Sequence, residues 1–379
     1  MDTISQSPLP TLFLGAEIYR GSTYGSAHPL AIPRVPTVID LSRALGWLPR
    51  EVYRTSPRIR PAGLMAFHTP AYITALQAAE ASQSVTAEIR ERHGLGTLSN
   101  PVYPEMFRRP ATSAGGALLA ADLVAAGHRV YHPAGGTHHG LPDRANGFCF
   151  FNDPVLAIMA LRARGLRRIV YIDIDAHHCD GVEVAFPDTP EVRLISLHEE
   201  KRWPFTGALH DRGCGNFFNL PLPAGLNDDE YALALEQFIL PATAGHRPDA
   251  VVLQCGADAV AEDPLSRLTL SNNAHWATVA ALKEIAPRLL VLGGGGYNPW
   301  SVGRLWTGVW ATLNGFDIPD RLPTGAEAIQ RELRWNRRAG KTPPEHWFTT
   351  LRDVPHNGAI RDEIRDRVSL LSARLLAEV

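Results

Sequence analysis

The stretch RRIVYIDIDAHHCDG, residues 167–181, decides the fold and points to the place where function must be sought. Its first half is an unbroken apolar run of strand length, which is typical of a parallel strand that is covered on both faces. Its second half places two carboxylates and two imidazoles in six consecutive residues, Asp173 to His178. A buried strand that leads directly into ionisable side chains predicts a functional site at its carboxyl end.

Four further runs of this kind predict more strands of the same sheet. They are HRVYHPAG (128–135), EVRLISLHE (191–199), DAVVLQCGAD (249–258) and PRLLVLGGGG (287–296). Helical patterns accompany them at 112–127 and at 153–165, where Asp153 is predicted to cap the helix and Pro154 to occupy its first position. This alternation predicts an α/β fold, a single domain with a mostly parallel β-sheet flanked by helices.

The rest of the chain is less regular. Residues 66–82 have a helical pattern, whereas 86–109 is broken by glycine and proline and predicts a long loop. The tail predicts an amphipathic helix that packs on the main body through Ile360, Ile364, Val368, Leu371 and Leu375. We expect one domain over 1–379, with a core at about 27–318 and a C-terminal helical appendage at about 319–379.

Composition excludes several classes of function. The net charge is −2 and no block of lysine and arginine stands out, so neither nucleic acid nor an anionic membrane is an expected partner. The four cysteines form no CxxC pair, which favours reduced thiols and a cytoplasmic protein. The first residues lack the pattern of a signal peptide, and no apolar run is long enough to span a bilayer.

Ionisable or flexible residues follow the ends of all five predicted strands. The carboxyl ends of parallel strands lie along one edge of a sheet, and ligands bind there in open α/β folds. One shared site is therefore predicted from GTHHG (136–140), DIDAHHCDG (173–181), SLHE (196–199), GAD (256–258) and GGGGY (293–297).

The carboxylates and imidazoles of this site predict a metal centre. Asp173, Asp175 and His177 alternate along an extended chain and so share a face. A buried hydrogen-bond network is the competing interpretation, but no nearby Arg or Lys compensates the charge. With Asp258 as a third ligand, Asp175 and His177 match a catalytic zinc site with one open position. Iron or manganese would also suit such oxygen-rich ligation.

A hydrolytic metal centre also needs a proton carrier and a group that stabilises negative charge. His138 and His139 are the candidates for proton transfer, with Asp173 and Asp180 as carboxylate partners that orient the rings. Tyr297 follows four glycines that lack the spacing of a phosphate-binding loop. Its phenol could instead donate to a developing oxyanion.

Taken together, GTHHG (136–140), DIDAHHCDG (173–181), CGADAVAEDPL (255–265) and GGGGYN (293–298) resemble the zinc-dependent histone deacetylase family. That family includes bacterial acetoin-utilization-type and acetylpolyamine deacetylases, and the resemblance runs from about Ala27 to Gly308. It implies the arginase–deacetylase fold. It also implies the roles already considered for the ligands Asp175, His177 and Asp258, for the tandem histidines with their carboxylates, and for Tyr297.

The resemblance adds two sets of residues. A substrate tunnel is implied at Gly147 and Phe148, with Trp203 on the opposite wall and Leu265 beside them. A structural potassium ion is implied near the zinc, bound mainly through backbone oxygens, at Asp173, Asp175, His177, Ser196 and Leu197.

Three positions depart from the family pattern. Cys179 stands where relatives usually have glycine. In the 99–105 loop, Val102 and Tyr103 are expected where many lysine deacetylases have an aspartate that grips the substrate backbone, which questions peptide recognition. Trp203 is bulkier than the usual phenylalanine, so a narrower tunnel is expected.

The resemblance implies a deacetylase that hydrolyses the N-acetyl or N-acyl amide of acetyl-lysine, or of a small acetylated amine, to acetate and a free amine. Small substrates are favoured slightly by the departures. One alternative is a non-catalytic, metal-dependent sensor that binds an acylated ligand. The other is a ureohydrolase with two metal ions, disfavoured because Cys179 replaces an expected carboxylate. A homo-oligomer in which 86–109 covers a neighbour's site is compatible with the sequence.

Overall fold

The computed structural model describes residues 9–22, 24–25 and 27–377. Its centre is an eight-stranded sheet with the order β2-β1-β3-β8-β7-β4-β5-β6, in which all neighbours pair in parallel. The strands are β1 Leu12–Gly15, β2 Tyr53–Thr55, β3 Val130–His132, β4 Ile169–Asp173, β5 Val192–Glu199, β6 Phe217–Leu222, β7 Ala250–Gln254 and β8 Leu289–Leu292. The predicted α/β fold and all five predicted strands are confirmed.

Fifteen α-helical segments of the described chain surround this sheet. They are α1 Ile18–Gly21, α2 Val35–Ala44, α3 Pro61–Leu64, α4 Pro70–Ser82, α5 Ala87–His93, α6 Arg108–Ala125, α7 Asp153–Ala163, α8 Asp180–Ala185, α9 Asp228–Ala234, α10 Leu240–His246, α11 Asn272–Ile285, α12 Pro299–Asn314, α13 Thr324–Glu332, α14 His346–Thr349 and α15 Asp362–Leu376. None of the helices in this part of the chain has the length and apolar character needed to cross a membrane.

The sheet is buried on both faces, as the apolar runs predicted. Along β4, Val170 and Ile172 pack in a core with α2, α11 and α12, whereas Ile169 and Tyr171 face a second core with α6 and α7. Successive side chains of a strand point to opposite faces, so a central strand covered on both sides must be apolar throughout. A third apolar cluster joins the N-terminal helices α3 and α4 to the region of Tyr297.

The loop predicted over 86–109 is wrong in its first part, because α5 occupies Ala87–His93. The side chain of Thr86 accepts a hydrogen bond from the Ile89 backbone N–H, and Gly94 ends the helix in the left-handed region. These two capping signals were present in the sequence. The helix itself is mostly charged and exposed, so it has no apolar periodicity that would reveal it.

The C-terminal region packs on the main body. Ile364, Val368 and Leu371 of α15 are buried, as predicted from the apolar stripe. Arg361, directly before this helix, donates to both carboxylate oxygens of the buried Glu230, at 2.6 and 2.7 Å. All four cysteines lie in the described part of the chain and are free thiols.

Gly308 provides a direct test of the packing between α11 and α12. A Cβ atom at Gly308 would overlap the indole ring of the buried Trp276. We therefore expect Gly308→Ala to lower the free energy of unfolding by about 1–3 kcal/mol, as overpacking of a core does. Gly325→Ala is the matched control, since Gly325 lies in α13 with open space around it, and it should change stability by less than about 1 kcal/mol. Urea unfolding measures both, and equal stabilities would contradict this account.

Candidate active site

The candidate active site lies at the carboxyl ends of the strands. The segment after β3 carries His138 and His139, and the end of β4 leads from Asp173 to Asp175 and His177. A single 3₁₀ turn after β7 carries Asp258, and the glycine-rich segment after β8 leads to Tyr297. The side chains predicted from separate strand ends are thus brought to one edge of the sheet.

Three of these side chains form a group that could hold a metal ion. One ligand atom each from Asp175, His177 and Asp258 lies within 4.8 Å of the others. His177 Nδ1 is 3.2 Å from Asp175 Oδ1 and 3.0 Å from Asp258 Oδ2. Backbone donors fix both carboxylates, because Ala176 N–H donates to Asp258 Oδ1 at 2.9 Å and Gly295 N–H to Asp175 Oδ2 at 2.7 Å.

The donor set fits a divalent cation. Tetrahedral ligands at zinc distances lie about 3.3 Å from one another, close to the spacings around His177. Burial and the charge of Asp175 raise the pKa of Asp258, so the two carboxylates repel each other. Burial alone would lower the pKa of His177, but its hydrogen bonds to both carboxylates raise it to about 10. Two buried carboxylates beside one imidazole leave net negative charge that a cation would compensate.

Each tandem histidine is paired with the carboxylate that the sequence predicted. His138 Nδ1 is 2.7 Å from Asp173 Oδ2, and His139 Nδ1 is 2.6 Å from Asp180 Oδ1. Burial opposes charge on His138, but the carboxylates of Asp173 and Asp175 outweigh it and raise the pKa to about 9. Burial and the neighbouring His138 lower the pKa of His139 to about 4. The two imidazoles therefore differ in their affinity for a proton, and their roles in catalysis remain predictions.

Asn152 and Asp153, which the sequence did not assign to the site, hold in place the segment that carries the tandem histidines. Asp153 was predicted to cap α7, but the capping side chain is Asn152, which accepts from the Val155 backbone N–H at 3.1 Å. The carboxylate of Asp153 instead accepts from the backbone N–H groups of Gly136 and Thr137, each at 2.9 Å. The Asn152 amide also donates to the backbone oxygen of His138 at 3.1 Å. An Asn-Asp pair before an apolar helix predicts only a helix cap. The sequence therefore did not reveal that these two side chains also bind the segment that carries the tandem histidines.

Tyr297 is positioned from both its backbone and its ring. Its backbone N–H donates to Asp263 Oδ2 at 2.6 Å, and its ring packs edge-on against Phe148 with the centroids 5.7 Å apart. The phenol makes no hydrogen bond with any residue that the structure describes. Burial, together with the charges of Asp258 and Asp175, raises the pKa of Tyr297 well above its usual value. The phenol therefore keeps its proton and can donate it in a hydrogen bond.

The four predicted tunnel residues line one depression of about 690 Å³ that opens onto the site, together with His139, His177 and Tyr297. Trp203 packs edge-on against His139, with the ring centroids 4.6 Å apart. Gly147 has a φ of +51°, and a Cβ there would overlap the Trp203 ring. Glycine is thus required for this close approach. Phe148, Trp203 and Leu265 all contribute to the lining of the depression.

The structure corrects the expectation for the 99–105 loop. Ser99, not Val102 or Tyr103, lines the depression at the site. Tyr103 is buried and stacks on Tyr24 with the ring centroids 4.7 Å apart. The residue of this loop that can meet a substrate is therefore a serine, which offers a neutral hydroxyl at the rim.

The residues predicted for potassium lie beside the metal-ligand group. Asp173 of β4 pairs in register with Ser196 of β5, and Leu197 follows it. Cys179 is buried in the apolar cluster beneath α7 and lies outside the three-donor group.

A small cavity of about 50 Å³ adjoins the site, and the sequence did not predict it. Two arginines line it together with His138, His139 and Tyr297. Arg34 donates to the Gly294 backbone oxygen at 2.6 Å, and the Arg109 guanidinium lies over the ring of Tyr24 at 5.1 Å. Arg34 lies in an irregular segment and Arg109 in α6, and a single arginine carries no spacing signal, so the sequence did not reveal either as a site residue.

Comparison with known proteins agrees with this geometry. Residues 28–313 match the model of the histone deacetylase domain. The acetoin utilization protein AcuC of Bacillus subtilis (strain 168) is 32% identical over 351 residues, which cover 89% of this chain and 89% of that protein. The crystal structure of an HDAC homologue from Aquifex aeolicus superposes with a TM-score of 0.92 at 34% identity, covering 96% of this chain and 100% of that one. An HDAC homologue in complex with SAHA gives the same TM-score and coverage at 35% identity. The chain belongs to the histone deacetylase family.

Proposed function

We propose that the protein is a zinc-dependent deacetylase that hydrolyses the N-acetyl or N-acyl amide of acetyl-lysine or of a small acetylated amine. The products are acetate and the free amine. One observation carries the proposal: His177 of the three-donor group, the carboxylate-paired His139 and Tyr297 all line a single depression.

The residues that would hold zinc are Asp175, His177 and Asp258, whose donor atoms lie at spacings suited to tetrahedral coordination. When bound, zinc would polarise an acyl carbonyl and lower the pKa of water at the site. Iron(II) suits the same oxygen-rich donors. A potassium ion of structural role is proposed at Asp173, Asp175, His177, Ser196 and Leu197, because Asp173 of β4 lies opposite Ser196 of β5.

In the proposed mechanism His139 accepts the proton of the attacking water, because it faces the depression and is held by Asp180 at 2.6 Å. The same imidazole then donates that proton to the nitrogen of the leaving amine. His138 lies with its ring centroid 3.9 Å from that of His139, and its Nδ1, 2.7 Å from Asp173 Oδ2, favours an imidazolium. Its positive charge would stabilise the negative charge that develops on the acyl oxygen.

The remaining residues position the substrate and the product. The Tyr297 phenol would donate to the oxyanion, while Phe148 and Trp203 would enclose a thin aliphatic chain and exclude water. Arg34 and Arg109, which line the small cavity next to the site, supply partly buried guanidinium groups to which an acetate product could bind.

The experiment that tests the proposal measures acetate release and metal content on the same preparation. Zinc-loaded protein is incubated with an acetyl-lysine peptide and with an N-acetylated polyamine. Acetate release at one zinc per chain would support the deacetylase. Binding of the acylated compounds without release would favour a sensor, and two manganese ions per chain with urea formed from a guanidino compound would favour a ureohydrolase.

A further inference from the structure

The charges around the opening of the site are not balanced. Apart from the catalytic residues, the ionisable side chains that line the 690 Å³ depression are Glu199, Glu200, Lys201, Arg202 and Arg267. Both carboxylates are paired with arginines within the protein, whereas Lys201 makes only an exposed ion pair and the Arg267 guanidinium has no partner among the described residues. The charge that a substrate would meet at the rim is therefore set by those two cations.

Glu199 is internal to the structure. It is buried, and Arg202 binds both of its carboxylate oxygens, with Nη2 2.9 Å from Oε1. The same carboxylate accepts from the backbone N–H of Arg267 at 2.8 Å. Arg202 Nη1 also donates to the backbone oxygen of Leu265 at 2.8 Å. The charges of Glu199 and Arg202 therefore cancel, and the hydrogen bonds of this pair fix the segment 265–267 beside the opening.

Glu200 is likewise neutralised, because Arg367 Nη2 lies 2.9 Å from its Oε2. The Lys201 ammonium is 3.6 Å from the other oxygen of Glu200, but its side chain is 87% exposed. Such an exposed pair contributes little and leaves the ammonium open to solvent.

Arg267 faces the opening, and its guanidinium has no partner in the part of the chain that the structure describes. Its backbone is held by Glu199, yet its guanidinium makes no hydrogen bond or ion pair with the described residues. A guanidinium fixed at its base and free at its tip is suited to binding a carboxylate through two parallel hydrogen bonds.

The surface next to the opening has the same sign of charge. A second depression, of about 610 Å³, has His28, Arg334, Arg337 and Arg338 as its ionisable side chains among the described residues. It adjoins the first one, since the His28 ring lies edge-on to Phe148 with the centroids 4.6 Å apart. A polycationic amine would meet positive charge in both places.

We propose that the opening selects N-acyl amines that carry a carboxylate beyond the acyl amide, with Arg267 as its contact, and that it disfavours acetylated polyamines. The inference rests on the proposed function and narrows its substrate class. The aliphatic chain lies between Phe148 and Trp203, and the carboxylate reaches the rim. That carboxylate belongs either to a free N-acyl diamino acid or to an acidic residue beside an acetyl-lysine in a peptide.

The test compares pairs of substrates whose two members differ in charge. Nε-acetyl-lysine is paired with its α-carboxamide, and an acetyl-lysine peptide flanked by aspartate is paired with one flanked by lysine. We expect kcat/KM to be about tenfold higher for the anionic member of a pair, and this preference should shrink as salt rises. The pair with the larger ratio identifies the source of the carboxylate. Equal kcat/KM values within both pairs, or a preference for the acetylated polyamine, would overturn the inference.

Variants of Arg267 assign the effect. Arg267→Ala should reduce the ratio to about one, and Arg267→Glu should invert it. Arg167→Glu is the matched control, because Arg167 is an exposed arginine at the amino end of β4, on the opposite edge of the sheet. A ratio that Arg267→Glu leaves unchanged, or that Arg167→Glu changes equally, would overturn the assignment.

The inference can fail separately from the proposed function. If no substrate is hydrolysed, the deacetylase proposal fails, but calorimetric titration of Nε-acetyl-lysine and its carboxamide into Tyr297→Phe protein still measures the preference for a carboxylate. Tighter binding of the carboxylate by about tenfold would then support the selectivity, and equal binding would overturn it.

Discussion

Asp258→Asn is expected to remove zinc from the protein and to abolish measurable acetate release. The substitution keeps the shape of the side chain and an oxygen that can accept from the Ala176 backbone N–H, but it removes the negative charge that faces His177. Loss of a hydrogen-bond partner of a ligand already lowers metal affinity by about 10–100-fold, so loss of a charged ligand should cost more. Zinc per chain after dialysis and acetate release are the two measurements.

The control for this experiment is Asp263→Asn. Asp263 is also buried, yet it accepts from the Leu265 and Tyr297 backbone N–H groups and lies outside the three-donor group. It should retain one zinc per chain. In the presence of a chelator, Asp258→Asn should be no less stable than the original protein, because it removes repulsion between two buried carboxylates. Full zinc occupancy in Asp258→Asn would show that this carboxylate is not a ligand.

The central sheet was predictable because its strands are buried on both faces, but three strands were not. β1, Leu12–Gly15, is only four residues long, and its apolar run is too short for a periodicity. β2, Tyr53–Thr55, lies at one edge, and none of its three residues is buried. β6, Phe217–Leu222, lies at the other edge and contains Pro221, a residue that argues against a central strand. β2 therefore has little apolar surface to reveal it, whereas β1 is hidden by its shortness and β6 by its proline.

The metal-ligand group was predictable for a related reason. Asp173, Asp175 and His177 follow directly from β4, and parallel strands must end along one edge, so Asp258 after β7 had to lie nearby. The positions of residues in irregular segments had no such constraint. Ser99, not Val102 or Tyr103, reaches the opening. Its place depends on how the N-terminal third packs, which neither periodicity nor spacing specifies.

Sequence patterns also did not predict the hydrogen bonds that hold the site in place. Asp153 was correctly placed at the start of a helix but given the wrong hydrogen-bond partners, because its carboxylate accepts from the loop that carries the tandem histidines. A polar residue before an apolar helix is interpreted as a helix cap. Its contacts with segments distant in sequence are therefore not predicted. Such contacts become visible only when the elements are packed together.

Tyr297→Phe is expected to lower kcat by about 10²–10³-fold, the usual cost of removing one donor to an oxyanion. The ring would keep its edge-on contact with Phe148, and the backbone would keep its hydrogen bond to Asp263, so folding and zinc content should not change. KM should change little if the phenol acts only in the transition state. The measurements are steady-state kinetics of acetate release and zinc content per chain.

Tyr103→Phe is the matched control for this loss. Tyr103 is a buried tyrosine whose hydroxyl has no hydrogen-bond partner among the residues that the structure describes, and it lies outside the lining of the depression at the site. Removing that hydroxyl should leave kcat unchanged, so a fall in Tyr297→Phe alone would locate the effect in the chemistry. Burial and two nearby carboxylates hold the pKa of Tyr297 above its usual value, so its phenol is protonated throughout the neutral range. The pH profile of Tyr297→Phe should therefore keep the shape of the original at a lower level. A fall in zinc content that parallels the fall in kcat would instead mean that Tyr297 supports the metal site rather than the oxyanion.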